Sequence, residues 1–257
     1  MRTALVQLGG DLSAPLAQRV EEVAGTVAGL GDADLVVLPE LWAQGAWNAR
    51  EWASSAEPLP GSVVPVLADA ARAADAYLHC GSVVERADDG TLYNTAVLLG
   101  PDGATLATYR KVHRFGFDSG EAAVLGAGPG PVTAAVAGTV AGLATCYDLR
   151  FPELFRALVD LGAELVVMAS SWPAARIGHW STLARARAIE DQVWLVACNQ
   201  TGTQRGVALG GRSVVVSPWG EVVAEADDTE QVLVADIDLS FVATTRAEFP
   251  VLRDRRL

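Results

Sequence analysis

The sequence predicts an α/β fold with mixed sheets, and three observations carry that prediction. Short apolar runs such as Asp34–Pro39 (DLVVLP) and Thr139–Thr145 (TVAGLAT) read as strands buried on both faces. Helical apolar spacing follows some of them, which makes βα units. Other strands follow one another across the polar turns Asp88-Asp89-Gly90 and Pro101-Asp102-Gly103, which makes hairpins. βα units and hairpins together imply parallel and antiparallel pairing in one fold. No long linker, repeat or low-complexity block interrupts the 257 residues, so 1–257 reads as one domain.

Taken in order, Thr3–Leu8 is a first strand, and Asp11 or Ser13 is placed to cap a helix over 14–30. Leu16, Val20, Val23, Val27 and Leu30 form its apolar stripe. The strand DLVVLP ends in Glu40. Pro58–Gly61 is a turn and Val63–Ala74 an alanine-packed helix. Tyr77–Glu85, Leu92–Gly100 and 104–110 are consecutive antiparallel strands. Residues 112–130 are irregular and glycine-rich.

Thr139–Thr145 then leads through a sharp turn at Cys146 into a helix from Pro152, a residue suited to a first helical position. Leu154, Phe155, Leu158, Val159 and Leu161 carry its helical spacing, and Gly162 suits a left-handed cap. Leu165–Ala169 is a buried strand. His179–Asp191 is a helix with Leu183, Ala186 and Ile189 on one side. Trp194–Ala197 is a strand, Arg212–Ser217 and Glu221–Ala226 form a hairpin, and Val232–Ile237 closes the sheet. A basic-tipped tail ends at Leu257.

The composition is 51% hydrophobic and 19% charged, enough for a substantial core. A net charge of −12 argues against nucleic acid and anionic membrane as partners, though placed arginines still permit an anionic small substrate. Three cysteines, at 80, 146 and 198, and three scattered histidines give neither a disulfide framework nor a metal-binding pattern. The N-terminus lacks a signal-peptide core, and no apolar run reaches a membrane-span length. The expectation is a cytoplasmic protein.

Three reactive side chains share one placement, just past the end of a strand: Glu40, Lys111 and Cys146. Ligands gather outside strand ends in α/β sheets. A carboxylate, an ammonium and a thiol supply a base, an oxyanion stabiliser and a nucleophile for acyl transfer. The start of a helix just beyond Cys146 favours its thiolate. A Cys–His pair is the alternative, but His113, next but one to Lys111, is the only histidine nearby in sequence. Trp172-Pro173, after another strand, reads as a pocket wall. Cys80, Cys198 and His79 read as packing, and His179 and Trp180 are placed for a site rim. Trp42, Trp47 and Trp52 suit core or pocket alike. Asp148 and Arg150 are near enough to pair, or Arg150 to face substrate.

The segments LPELW (38–42), YRKVHRFGF (109–117) and TCYDLRFPELFR (145–156) resemble the signature segments of the nitrilase, or carbon–nitrogen hydrolase, superfamily. GEAAVLGAG (120–128) and the long segment 170–202 extend the similarity to essentially the whole chain. The resemblance implies a four-layer α-β-β-α sandwich that pairs into a homodimer. It implies Glu40 as general base, Lys111 as oxyanion-stabilising cation, Cys146 as nucleophile and Glu121 as a second glutamate orienting the amide and the lysine. The backbone N–H of Tyr147 is the implied second oxyanion donor, and neither metal nor organic cofactor is required.

CYDLRFPEL and WPAARIGHW are most similar to the omega-amidase branch, which hydrolyses the terminal amide of 2-oxoglutaramate or similar monoamides. Such an anionic substrate calls for a cation, and Arg150 or Arg176 can supply it. Deaminated glutathione hydrolysis and nitrilase activity are the alternatives within the superfamily. An inert nitrilase-like interaction scaffold and a Cys–His peptidase are the alternatives outside it.

Overall fold

Side chains on a strand alternate between its faces, and β1 (Arg2–Gln7) buries both. Ala4 and Val6 pack with helices, whereas Leu5 packs into a separate cluster shared with the second half of the chain. A computed structural model of the protein, describing residues 1–256, shows how this two-sided burial is met. Leu257 of the expected tail lies outside the described residues.

The first half continues with α1 (Leu16–Ala28), β2 (Leu35–Val37), α2 (Ala49–Ser55), α3 (Val63–Ala74), β3 (Tyr77–Arg86), β4 (Leu92–Leu99), β5 (Thr105–Arg110) and the single-turn α4 (Glu121–Val124). The second half contains β6 (Thr133–Val136), β7 (Thr139–Thr145), a 3-10 turn (Cys146–Arg150), α5 (Pro152–Asp160), β8 (Leu165–Ala169), α6 (Ile177–Asp191) and β9 (Trp194–Cys198). It ends with β10 (Thr201–Gln204), β11 (Val207–Gly210), β12 (Val214–Val216), β13 (Val222–Glu225), β14 (Gln231–Asp236) and α7 (Ser240–Glu248).

Two six-stranded mixed sheets result, ordered β14-β1-β2-β3-β4-β5 and β13-β12-β9-β8-β7-β6. β1–β3 run parallel, as do β7–β9, and hairpin partners extend both sheets antiparallel. Leu5, Leu35 and Val37 of one sheet join Leu143, Val167 and Val196 of the other in one buried cluster. α1 and α3 cover the first sheet through Val20, Val27, Leu67 and Ala71. α5 and α6 cover the second through Phe155, Leu158, Trp180 and Ala184. These layers form the expected α-β-β-α sandwich. β14 crosses back to pair with β1, so it closes the first sheet rather than the one holding the hairpin before it.

Some local expectations are corrected. α1 starts after Pro15 without a side-chain cap; the Asp11 carboxylate instead accepts from Ser13 N at 2.9 Å and Oγ at 2.8 Å, a local turn that satisfies both. The buried face of α6 is Trp180, Ala184, Arg187, Ala188 and Asp191, and Ile189 is exposed. Arg187 tolerates burial because its Nε donates to Leu149 O at 3.0 Å and its Nη1 to Glu190 Oε1 at 2.6 Å. β6, α2 and the β10–β11 hairpin were not apparent in the sequence pattern. No helix among the described residues is long and apolar enough to cross a membrane.

Candidate active site

The C-terminal ends of β2, β5, β7 and β8 converge, and the residues following them meet. Glu40 follows β2, Lys111 follows β5 directly, Cys146 follows β7, and Ser170–Trp172 follow β8. Two glycines allow this close approach. A Cβ on Gly81 would lie 1.9 Å from the carbonyl oxygen of Pro39, next to Glu40. One on Gly128 would lie 1.8 Å from that of Arg110, next to Lys111. Only a residue without a side chain fits either place.

Lys111 is the only lysine in the chain. Its Nζ donates to Glu40 Oε1 and to Glu121 Oε2, each at 2.7 Å. Asn94, on β4, closes the ring from the other side. Its Nδ2 donates to Glu40 Oε1 at 2.9 Å and to Glu121 Oε1 at 2.7 Å. Ser171 N donates to Glu40 Oε2 at 3.0 Å, and Phe115 N to Glu121 Oε2 at 2.8 Å. Glu40, Asn94, Lys111 and Glu121 are all buried.

Burial pushes the Glu40 carboxyl above its ordinary value, against the pull of Lys111 and with the help of Glu121. Burial opposes the Lys111 ammonium, but Glu121 and Glu40 outweigh it, so its pKa stands well above the usual lysine value. Burial, and after it the Glu40 carboxylate, push the Cys146 thiol up strongly, with Lys111 pulling the other way. The expected shift toward thiolate at a helix start is therefore overridden, and sulfur keeps its proton at rest.

Cys146 sits at φ 47°, in the left-handed region. Asp148 braces this elbow: Thr145 N donates to its Oδ2 at 2.9 Å and Tyr109 OH at 2.7 Å. His113 N donates to Oδ1 at 3.0 Å, and His113 Nδ1 lies 2.8 Å from the same oxygen. Asp148 thus serves the turn and does not pair with Arg150. His113 is held by Asp148 and stacked on Phe151 at 3.8 Å, in a supporting position.

One cavity of about 240 Å³ opens on this cluster. All eight residues singled out in the sequence line it: Glu40, Lys111, Cys146, Glu121, Tyr147, Arg150, Trp172 and Arg176. Trp47, Phe115 and Pro173 add an apolar wall. The Arg150 guanidinium lies 4.7 Å from the Trp172 ring, and that of Arg176 5.3 Å from Phe115. Among the described residues neither arginine forms an ion pair with a carboxylate. His179 reaches the rim beside Arg150 at 3.3 Å, whereas Trp180 is core. Trp42 is core; Trp47 and Trp52 face the cavity. Cys80, Cys198 and His79 are buried packing residues. No group of three His, Cys, Asp or Glu side chains among the described residues is placed to hold a metal ion.

Sequence reasoning missed Asn94, Ser171, Phe115 and Tyr109. Asn94 did leave a signal, a lone amide in the middle of the apolar strand LYNTAVLL.

The chain is similar to known proteins over nearly its whole length. The family model described as carbon-nitrogen hydrolase matches residues 2–247. A 2-oxoglutaramate amidase of Paenarthrobacter nicotinovorans is 43% identical, over 98% of this chain and 88% of its own. An omega-amidase of Homo sapiens is 34% identical, over 99% and 95%. A solved structure of a superfamily member from Xanthomonas campestris, with an arsenic adduct in its active site, has a TM-score of 0.92 at 30% identity, covering 100% and 97% of the two chains. Motif order, sandwich and site thus converge: the chain belongs to the carbon–nitrogen hydrolase family.

Proposed function

We propose that the protein hydrolyses the terminal amide of a small anionic 2-oxo monoamide of the 2-oxoglutaramate type, through a Cys146 thioester. The observation that carries this reading is a cavity joining the Glu40–Lys111–Glu121–Cys146 cluster to two arginines that have no carboxylate partner among the described residues. The names of the relatives support the same substrate class, and the modest volume favours a small amide over deaminated glutathione.

In this reading, Glu40 takes the thiol proton as sulfur attacks the amide carbon. Lys111 Nζ and the Tyr147 N–H, which stands at the open start of the 3-10 turn, hold the oxyanion. Glu121 orients Lys111 and the amide. The proton on Glu40 passes to the leaving nitrogen, the C–N bond breaks and ammonia departs. Glu40 then takes a proton from water as that water attacks the thioester. The carboxylic acid leaves and Cys146 regains its proton. Arg150 and Arg176 bind the substrate carboxylate, and Trp172 forms the wall behind it.

The whole of 1–257 acts as one hydrolase domain in the cytoplasm. It works as a homodimer, and what supports pairing is the exposed apolar cluster of Ile189, Trp219 and Phe249.

The test is ammonia release from 2-oxoglutaramate, deaminated glutathione, succinamate, glutamine and a simple nitrile, with Cys146→Ala as control. The expected result is preference for 2-oxoglutaramate, with Arg150→Met raising its KM at least tenfold. Preference for the nitrile, or turnover by Cys146→Ala, defeats the reading.

A further inference from the structure

We propose that Asn94 is a positioning residue: its amide ties both glutamates together around Lys111 and leaves Oε2 of Glu40 as the oxygen that receives the Cys146 proton. This rests on the reading of Glu40 as base.

The argument is one of acceptor capacity. A carboxylate oxygen has room for about two in-plane donors. Oε1 of Glu40 already accepts from Lys111 Nζ and Asn94 Nδ2. Oε2 accepts only from Ser171 N. Glu121 is the mirror case, with Oε2 filled by Lys111 Nζ and Phe115 N, and Oε1 by Asn94 alone. Each carboxylate therefore keeps one open position. On Glu40 that position lies beside Ser171 N, and the same N–H favours the thiolate form of Cys146. Sulfur and Oε2 thus share a neighbour.

The orientation of the Asn94 amide is fixed by its surroundings. Turned over, it would set its carbonyl oxygen against two carboxylate oxygens. In the orientation adopted, Oδ1 is buried with no partner. The site leaves one acceptor unsatisfied so that two carboxylates are satisfied. A neutral donor is the group that does this without changing the charge count. Two carboxylates with one ammonium leave a single excess negative charge, and a second cation would neutralise the base.

The charged and titratable groups around this ring are Lys111 after β5, Glu121 in α4 and Cys146 after β7, with Arg150 and Arg176 across the cavity. On the adjacent β3, His79 is buried and held neutral, and Glu85 is paired with Arg110 at 2.6 Å. None of these replaces the donor that Asn94 gives.

The experiment follows kcat against pH for Asn94→Leu and Asn94→Asp, alongside lysine-selective 13C/15N NMR. Because Lys111 is the only lysine, its side chain gives one signal, and the acid inflection of that signal reports proton uptake by Glu40 without turnover. In Asn94→Leu each carboxylate loses a donor. The acid limb of kcat and the NMR inflection should both move up by about one pH unit, with kcat at the plateau reduced on the order of tenfold and KM little changed. Asn94→Asp adds a third carboxyl and should move both further. If Asn94→Leu fails to fold, Asn94→Ser, which keeps one donor, should give a smaller shift in the same direction. A fall in kcat with both inflections unmoved would show that Asn94 only packs, and would overturn the proposal. Turnover by Cys146→Ala would instead overturn the thioester reading, so the two failures are distinct.

Discussion

Replacing Asp148 by asparagine tests whether the elbow at Cys146 is braced as the structure implies. The carboxylate is fully buried and takes Thr145 N–H, Tyr109 OH, His113 N–H and His113 Nδ1. Asparagine keeps one acceptor oxygen. If that oxygen faces His113, the amide NH2 faces Thr145 N–H, donor against donor. One buried donor left unsatisfied costs about 1–3 kcal/mol, and bonds to a charge weaken from about 1.5–3 to about 0.5–1.5 kcal/mol each. Tyr109 OH can turn to accept, which limits its share. The total is about 3–5 kcal/mol, a large fraction of a typical stability of about 5–15 kcal/mol. Thr145 immediately precedes Cys146, whose left-handed conformation alone costs about 1–2 kcal/mol. A relaxed elbow displaces sulfur from Glu40, and kcat should fall on the order of 100-fold. Urea denaturation reads the stability and ammonia release reads kcat. A loss below about 1 kcal/mol together with kcat within about twofold of wild type would refute the brace.

Three other predictions can be checked with simple variants. Burial raises the Asp191 carboxyl to about 6 from 3.8, because Arg156, though 3.1 Å away, does not offset it. The folded state therefore binds this proton more tightly, and its stabilising effect is full below 3.8 and lost as pH rises through 6. Asp191→Asn should thus be more stable than wild type above pH 7, by up to about 3 kcal/mol at 1.36 kcal/mol per pH unit, and equal to it near pH 4 in thermal melts. Lys111 has its pKa raised, so its stabilisation persists up to the ordinary value of 10.5 and fades only as pH climbs through the folded value. Lys111→Met should then cost about 3–5 kcal/mol at about pH 9 and less at about pH 6, where the Glu40 carboxyl, no longer held down by Lys111, takes up a proton; a cost that falls as pH rises across that range would contradict the buried ion pairs. Gly128→Ala should lower stability by about 1–3 kcal/mol through its clash with Arg110 O, and should reduce kcat by displacing Lys111; a neutral effect on both would show that the backbone yields there.

The sheet strands were legible where apolar composition was dense and turns were strong, as in Asp34–Pro39, Thr139–Thr145 and the β3–β4–β5 meander. β6 (Thr133–Val136) and the β10–β11 hairpin were not, because Thr-Ala-Ala-Val and TGTQRGVALG carry little alternation. Glu121 rides on a helix of one turn, too short for any period to appear. The α6 face departs from its apolar spacing because Arg187 is buried, with Leu149 O from 38 residues away and Glu190 on the same helix as partners, while Ile189 is left outside. Glu40, Lys111 and Cys146 stood out because each follows a strand end with chemistry unsuited to a core. The resting state of Cys146 was not legible: the start of a helix is local in sequence, whereas the burial that raises the thiol and, after it, the Glu40 carboxylate more than a hundred residues away come only with the fold.

In the proposed mechanism the raised pKa of the Cys146 thiol is no obstacle to nucleophilic attack. At rest the cluster holds two carboxylates, one ammonium and a thiol. Moving the proton from sulfur to Glu40 leaves one carboxylate, one ammonium, a thiolate and a carboxylic acid. The number of charged groups and the net charge are unchanged. Burial opposes the ionised form of both partners, so much of its effect cancels in the transfer, and only the difference between thiol and carboxyl remains. Lys111 lowers the Cys146 thiol, and its charge stays fixed between the glutamates throughout. The same ammonium can then meet the oxyanion. An arginine would be too broad and planar for a point held at 2.7 Å from two carboxylates and still open to a third oxygen. That requirement accounts for a lysine here in a chain whose other basic side chains, histidines aside, are all arginine.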